Sequence, residues 1–307
     1  MANSCVIKVT DTIMSQIKEH YQANLLGKTP PYAKFSAKIN GTTITAYNSG
    51  KIMFQGAQAV SEAQKWQKDA SPSTTSKKKE PAANQLPKNF AQWSAVGSDE
   101  VGNGSYFGPV VVCASYVEKS QHALLKELGV RDSKELNDTQ IRAIAKDIKL
   151  VIPYKELVVT PKKYNQIQPD YNVNRMKVAL HNQAIALLLA DLSPIKPEGI
   201  LIDQFTPESN YRKYLAQEKN QVTDNLYFAT KGEHHHLAVA ASSIICRASF
   251  LDALDEATKE LGMTIPSGAG SKSDLVAAKI LKRGGLPLLG EYAKLHFANT
   301  QKAQKKL

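Results

Sequence analysis

At 307 residues, 42% of them hydrophobic and 22% charged, the chain has the composition of a folded protein long enough for two domains, not of a disordered or fibrous one. No apolar stretch reads as the roughly 18–20 residues of a membrane span. The net charge is +11, unevenly spread: the first 90 residues hold 12 lysines against 5 acids (+7), and the remaining 217 carry only +4. A lysine-rich first third points to a polyanion, nucleic acid foremost, with simple solubility as the bland reading. Three far-apart cysteines without Cys-x-x-Cys spacing predict free thiols, and the start of the chain lacks the pattern of a signal peptide, so a cytoplasmic location is expected.

In chain order, residues 6–9 read as a short strand, and Asp11 is placed to cap a helix reaching about Leu25, closed by Gly27 and Pro30-Pro31. Residues 32–39, 42–47 and 51–55 then alternate as strands, joined by Asn40-Gly41 and Asn48-Ser49-Gly50, both hairpin signals. Ala33, Phe35, Ala37, Ile39, Ile44, Ala46, Ile52 and Phe54 fall on one face. Tyr32, Lys34, Ser36, Lys38, Thr43, Thr45 and Tyr47 fall on the other. That polar face suits a sugar–phosphate backbone, with Lys34, Lys38 and Tyr47 as candidate contacts, and equally suits an ordinary solvated sheet. Residues 1–60 are thus expected to form a nucleic-acid-binding module. Residues 61–88, rich in Ser, Pro and Lys with little to bury after Trp66, read as a flexible linker.

A second domain is expected over 89–307. Residues 93–96 and 110–117 read as buried strands, 119–128 and 137–148 as helices, and 150–159 as a strand region. A long helix is predicted over 173–192, strands over 199–203 and 226–229, a helix of small residues over 236–257, and shorter helices over 273–283 and 287–295. Alternating strands and helices of this length predict an α/β core.

The chemistry gathers at element ends. Asp99-Glu100 closes the first strand of this domain against Gly102, Gly104 and Gly108, where bare backbone comes close to a ligand. Asp203 ends a second strand, and Glu233 precedes the small-residue helix. Taken singly, each acid also reads as a cap or a partner for a helix dipole. Four in one α/β domain point to a metal-dependent phosphodiesterase. Asp132-Ser133 reads as a turn or cap. His234-His235-His236 reads as a polar loop, because three consecutive side chains rarely converge on one ion; Trp93, Cys113 and Cys246 read as core.

The run from Gly97 to Pro109, Asp132-Ser133-Lys134-Glu135-Leu136, Ile202-Asp203, Lys231-Gly232-Glu233 and the stretch from Ala240 to Ala248 together resemble the motifs of type 2 ribonucleases H, in family order. Glu233 in place of the usual Asp, and the basic module ahead of the core, resemble the ribonuclease HIII branch more closely than ribonuclease HII. The resemblance implies an RNase H-like fold preceded by a module like half of the TATA-binding protein fold. It also implies two-metal-ion hydrolysis of the RNA strand of RNA–DNA hybrids, leaving 5′-phosphate and 3′-hydroxyl ends. Asp99, Glu100, Asp203 and Glu233 become the expected ligands of Mg²⁺ or Mn²⁺. Gly102, Asn103 and Gly104 become candidate contacts to 2′-hydroxyls, and Ser133 and Lys134 to phosphates. Asn103 stands where ribonuclease HII enzymes often carry Arg, which counts against cleavage at a single ribonucleotide embedded in DNA. That activity is the alternative within the enzyme class, and binding without cleavage is the alternative outside it. No membrane and no obligate protein partner are expected.

Overall fold

The computed structural model describes residues 4–27, 29, 30, 32–66 and 86–307, and the chain divides into Met1–Ala82 and Ala83–Leu307. In the first unit, β1 (Ser4–Lys8), α1 (Asp11–His20), β2 (Ala33–Ile39), β3 (Thr42–Tyr47), β4 (Lys51–Gly56) and α2 (Ala59–Gln64) follow one another. The sheet is antiparallel, in the order β1-β4-β3-β2. Ile7, Met14, Ile17, Phe35, Ala37, Ile44, Ile52 and Phe54 form its core, as the alternation predicts. The α1 helix starts one residue earlier than expected: Thr10 is the cap, its Oγ1 accepting from Ile13 N, and Asp11 is the first helical residue.

Three details of this unit differ from the expectation. The register slips between Ala33 and Phe35, so Lys34 leaves the polar face and its ammonium sits 2.6 Å from Asp11 on α1. Ser36 and Thr45 are buried, not presented to a ligand; Ser36 Oγ lies 3.1 Å from Ile44 O and 3.4 Å from Thr45 Oγ1. Residues 61–64, expected in the linker, belong instead to α2, which buries Glu62 and Ala63, and the Tyr21 hydroxyl donates to Glu62 at 2.7 Å. The rest of that expected linker up to residue 85 lies outside the described residues, and Leu86 already packs beside Phe90 in the second unit.

The second unit is built on β5 (Ala95–Val101), β6 (Val110–Val117), β7 (Tyr154–Val159), β8 (Gly199–Asp203) and β9 (Leu226–Ala229), ordered β7-β6-β5-β8-β9. β5, β6 and β7 form an antiparallel meander; β8 and β9 join parallel to β5. Its helices include α3 (His122–Glu127), α4 (Asp138–Val151), α6 (Val173–Leu192) and α8 (Leu237–Leu261). The sheet separates two layers. Val111 and Cys113 face α8 and α4, while Val110, Val112, Ala114, Ile200 and Ile202 face α6. Short helices that the sequence pattern does not mark are α5 (Pro161–Ile167), α7 (Glu208–Leu215) and α10 (Ala298–Gln304). The two helices expected near the end form one span, α9 (Ser271–Tyr292), broken at Gly284 and Gly285.

Contrary to the expectation from hydropathy, α8 is long and apolar enough to cross a membrane, yet 67% of its apolar window is buried within the fold. It is the central core helix, and its small residues explain why. Ala238, Ala240, Ala241 and Ser242 let it lie directly on β5, where a Cβ on Gly97 would come within 2.2 Å of Val239 N. Ser242 Oγ donates to Gly97 O at 2.9 Å, and Ser115 Oγ donates to Ala238 O at 2.8 Å. This close approach fixes α8 behind the acidic residues of β5.

Candidate active site

Asp99 and Glu100 lie within β5, not at its end: pairing with β6 carries the strand through Asp99↔Cys113, Glu100↔Val112 and Val101↔Val111. Pairing with β8 stops at Ser98↔Ile202. The next residues along the two parallel strands are Asp99 and Asp203, so both carboxylates arise side by side where the ladder opens. Because side chains alternate along a strand, Asp99 points to the α8 layer and Glu100 to the α6 layer. Each acid therefore meets a different environment.

Asp99 is buried and makes no ion pair among the described residues. The Glu100 N–H donates to its Oδ1 at 2.7 Å, and the Ser243 hydroxyl of α8 donates to its carboxylate. These bonds do not offset burial and the negative charges of Glu100 and Asp203, which push its pKa well above the ordinary 3.8. Asp203 is raised too, by burial and then by Glu233 and Glu100, against the Gly232 N–H that donates to it at 2.8 Å. Glu100 goes the other way. Burial opposes its charge, but His181 and Lys177 of α6 outweigh that and lower its pKa. Lys177 Nζ lies 2.8 Å from Oε1, and His181 Nε2 lies 3.0 Å from Oε2.

Glu233 follows Gly232 in a single 3₁₀ turn ahead of α8, its side chain nearly covered. Lys134 Nζ sits 2.6 Å from its Oε1, and that bond, more than any other influence, raises the lysine pKa. Ser133 is buried, with Oγ 3.0 Å from Ser243 Oγ, so the Asp132-Ser133-Lys134 segment reaches Asp99 through Ser243 and Glu233 through Lys134. Asp132, Glu233 and His234 bring one ligand atom each within 4.8 Å of one another, a grouping that the run of three histidines does not by itself suggest. Of those three histidines, His236 is the buried cap of α8. Its Nδ1 accepts from Ala238 N, Nε2–H donates to Trp93 O, and burial lowers its pKa to about 4.

The glycine loop lies just beyond Asp99 and Glu100. Gly102 has φ +96°, and a Cβ there would meet Pro109 O at 2.0 Å, so the turn admits only glycine. Gly104 is exposed with open space around it, and Asn103 is half-buried. Lys294, almost fully buried, donates its ammonium to Gly108 O and fixes the far end of the loop. The structure thus brings together Asp99, Glu100, Asp203, Glu233, Ser133 and Lys134, beside Gly102–Gly104. Lys34, Lys38 and Tyr47 belong to the first unit, where Lys38 is exposed and Tyr47 half-buried. Lys177 and His181 are site residues that the sequence pattern did not point to. Their signal was a Lys and a His at i, i+4 on the face of the helix that also carries apolar residues such as Val178, Ala184 and Ile185 into the core.

All the grouped acids offer hard carboxylate oxygens, and burial, then the charge of neighbouring acids, raises the pKa of both Asp99 and Asp203. That donor set fits a divalent cation such as Mg²⁺ or Mn²⁺. Residues 96–300 match the family described as Ribonuclease HII, and residues 4–79 match one described as a domain of unknown function (DUF3378). Fold, acids and match together define a ribonuclease H-type endoribonuclease. The chain is 64% identical to a protein of Enterococcus faecalis named Ribonuclease HIII and 49% identical to one of Bacillus cereus with the same name, covering 100% of both chains in each case. The crystal structure of Bst-RNase HIII in complex with Mn²⁺ is similar at a TM-score of 0.70 and 38% identity, covering 99% of each chain. This chain belongs to the ribonuclease HIII family.

Proposed function

We propose that the protein hydrolyses the RNA strand of RNA–DNA hybrids by two-metal-ion catalysis, leaving 5′-phosphate and 3′-hydroxyl ends. Asp99, Glu100, Asp203 and Glu233 would hold Mg²⁺ or Mn²⁺, which supplies an activated water and neutralises charge at the leaving oxygen. The observation that carries this reading is the β5–β8 register, which sets Asp99 beside Asp203, with neither in an ion pair among the described residues. Lys134 is too weak an influence to bring Asp203 down to the ordinary carboxylate range. Around them the chain's own groups orient the acids: Ser243 and the Glu100 N–H hold Asp99, the Gly232 N–H holds Asp203, and Lys134 holds Glu233.

The exposed Gly104 and its neighbours Gly102 and Asn103 offer backbone groups to consecutive 2′-hydroxyls. Lys134, 74% exposed on its side chain, can turn from Glu233 to a phosphate. Lys38 and the other lysines of the first unit would dock the hybrid without taking part in chemistry. The buried, free Cys113 and Cys246 accord with a cytoplasmic setting.

Cleavage of a uniform hybrid and of a duplex with one embedded ribonucleotide, each with Mg²⁺ and with Mn²⁺, tests the proposal. Asp99→Asn and Asp203→Asn should nearly abolish cleavage while leaving hybrid binding in place. A variant that kept more than about a tenth of the parental rate, a barrier change under about 1.4 kcal/mol, would remove that acid from the metal site. With Asn103 between the glycines, the uniform hybrid should be the better substrate; equal rates would favour the ribonuclease HII-like alternative.

A further inference from the structure

Lys177 and His181 stand one turn apart on α6 and therefore share a face. Both are almost fully covered, and so is the Glu100 side chain they meet. Each carboxylate oxygen of Glu100 has its own partner, Lys177 Nζ at 2.8 Å on one and His181 Nε2 at 3.0 Å on the other. The imidazole is locked from its other side, Nδ1 lying 2.6 Å from Ser98 Oγ, and that hydroxyl donates to Cys113 O at 3.0 Å. Phe205, two residues past Asp203, floors both groups: His181 stacks on it at 5.1 Å, and Lys177 Nζ lies 3.9 Å from its centroid.

This arrangement is poorly explained by stability. Burying an ammonium and a carboxylate together is often no better than packing apolar side chains of the same volume, so the value of such a pair lies in fixing geometry. Both oxygens of the Glu100 carboxylate are held by α6, and the two groups that hold them rest in turn on Phe205 after β8.

Resting on the metal-dependent reading above, we propose that Lys177 and His181 are positioning residues that clamp Glu100, so that it faces the divalent cation from one direction with one share of its charge already taken. The clamp trades cation affinity for a productive carboxylate orientation. Removing Lys177 takes away a positive charge next to a cation site, which strengthens cation binding, and frees the carboxylate to turn, which slows the chemistry.

The test uses the full chain. Mn²⁺ binding is measured by calorimetry without substrate, kcat and KM are measured on a uniform hybrid, and Tm is recorded for each variant. Lys177→Met should bind Mn²⁺ more tightly, by about threefold or more, yet lose about tenfold or more in kcat with hybrid KM little changed. His181→Gln should move both quantities the same way by smaller factors. Lys177→Arg, which keeps charge and donor, should return both close to the parental values. A role in stability alone predicts the opposite pattern, a lower Tm with Mn²⁺ affinity weakened or unmoved. Either that pattern, or a folded Lys177→Met with kcat within about threefold of the parent, would overturn the proposal. Should both removal variants fail to fold, Phe205→Leu, which loosens the floor and keeps both polar groups and the charge, should lose about threefold or more in kcat with Mn²⁺ affinity and Tm little changed; an unchanged kcat would overturn the proposal. A parent that cuts no hybrid with either ion would refute the proposed function instead, and the substrate-free calorimetry would still decide the clamp.

Discussion

The acids of one site are held in opposite electrostatic states, and this sets what a single substitution does. Asp99 has a folded-state pKa well above its unfolded value, because of burial and then the charges of Glu100 and Asp203. The folded state therefore holds its proton more tightly, and the stability of the metal-free protein falls as pH rises through that raised value. Asp99→Asn should flatten this dependence and raise Tm near neutral pH in chelator, while abolishing the Tm gain that Mn²⁺ gives the parent. A lower Tm in chelator would show that Asp99 is a structural acid. Lys294 offers the mirror case. Burial lowers its pKa to about 7, so the unfolded chain binds the extra proton above that pH, and stability rises with pH from about 7 toward the ordinary lysine range. In Lys294→Met that contribution, at most about 1.4 kcal/mol per pH unit for one proton, should vanish. Urea unfolding of parent and variant at several values between about pH 7 and 9 measures it, and parallel curves would show that Lys294 keeps its ordinary affinity for protons.

At the scale of elements, two glycines near the site separate structure from function. At Gly97 a Cβ would lie 2.2 Å from Val239 N and 2.3 Å from Ala238 C. Backbone cannot step aside, so Gly97→Ala should push α8 off β5 and destabilise by about 1–3 kcal/mol or more, read from the urea midpoint. Gly104 has nothing within 4 Å of such a Cβ. Gly104→Ala should stay within about 0.5 kcal/mol of parental stability and raise KM for the hybrid; an unchanged KM would remove Gly104 from the substrate path. The sequence was most legible where one physical signal ruled. The α6 and β8 boundaries coincide with the expected 173–192 and 199–203, because the Asn172 cap and burial of the strand agree with the pattern there. Helices of 7 or 8 residues such as α5, α7 and α10 escape notice because their patterns are too short to show a period. Alternation puts Lys34 on the wrong face because a period of two assumes no bulge, and this lysine follows the strand's slip and an ion pair with Asp11. The four acids were legible as carboxylates set against apolar strands and ahead of the small-residue helix, although Asp99 and Glu100 lie inside β5 rather than at its end. The Lys177–His181 clamp depends instead on which helix covers which face of the sheet. That information is carried by tertiary packing alone.

At the scale of the whole molecule, charge and chemistry are divided between the two units. The acids lie in Ala83–Leu307, while the lysine excess lies in the first 90 residues, with Lys38 exposed on the sheet of the small unit. Residues 67–85 have the Ser-, Pro- and Lys-rich composition of a tether, and a tethered binding surface raises the local concentration of substrate without altering the chemical step. The second unit has its own hydrophobic layers on both faces of its sheet, so it carries what it needs to fold without the first. A chain reduced to residues 83–307 should therefore keep much of its kcat and show a KM raised by about tenfold or more. For every phosphate that the shortened chain no longer neutralises, the slope of log affinity against log salt should also fall by about one unit or less. Steady-state cleavage of a uniform hybrid across a salt series reads all three quantities at once. An unchanged KM would show that the small unit serves some partner other than the hybrid. Loss of kcat in a shortened chain that still melts cooperatively would show that the first unit contributes to the active site, and that affinity and chemistry are not separable between the two.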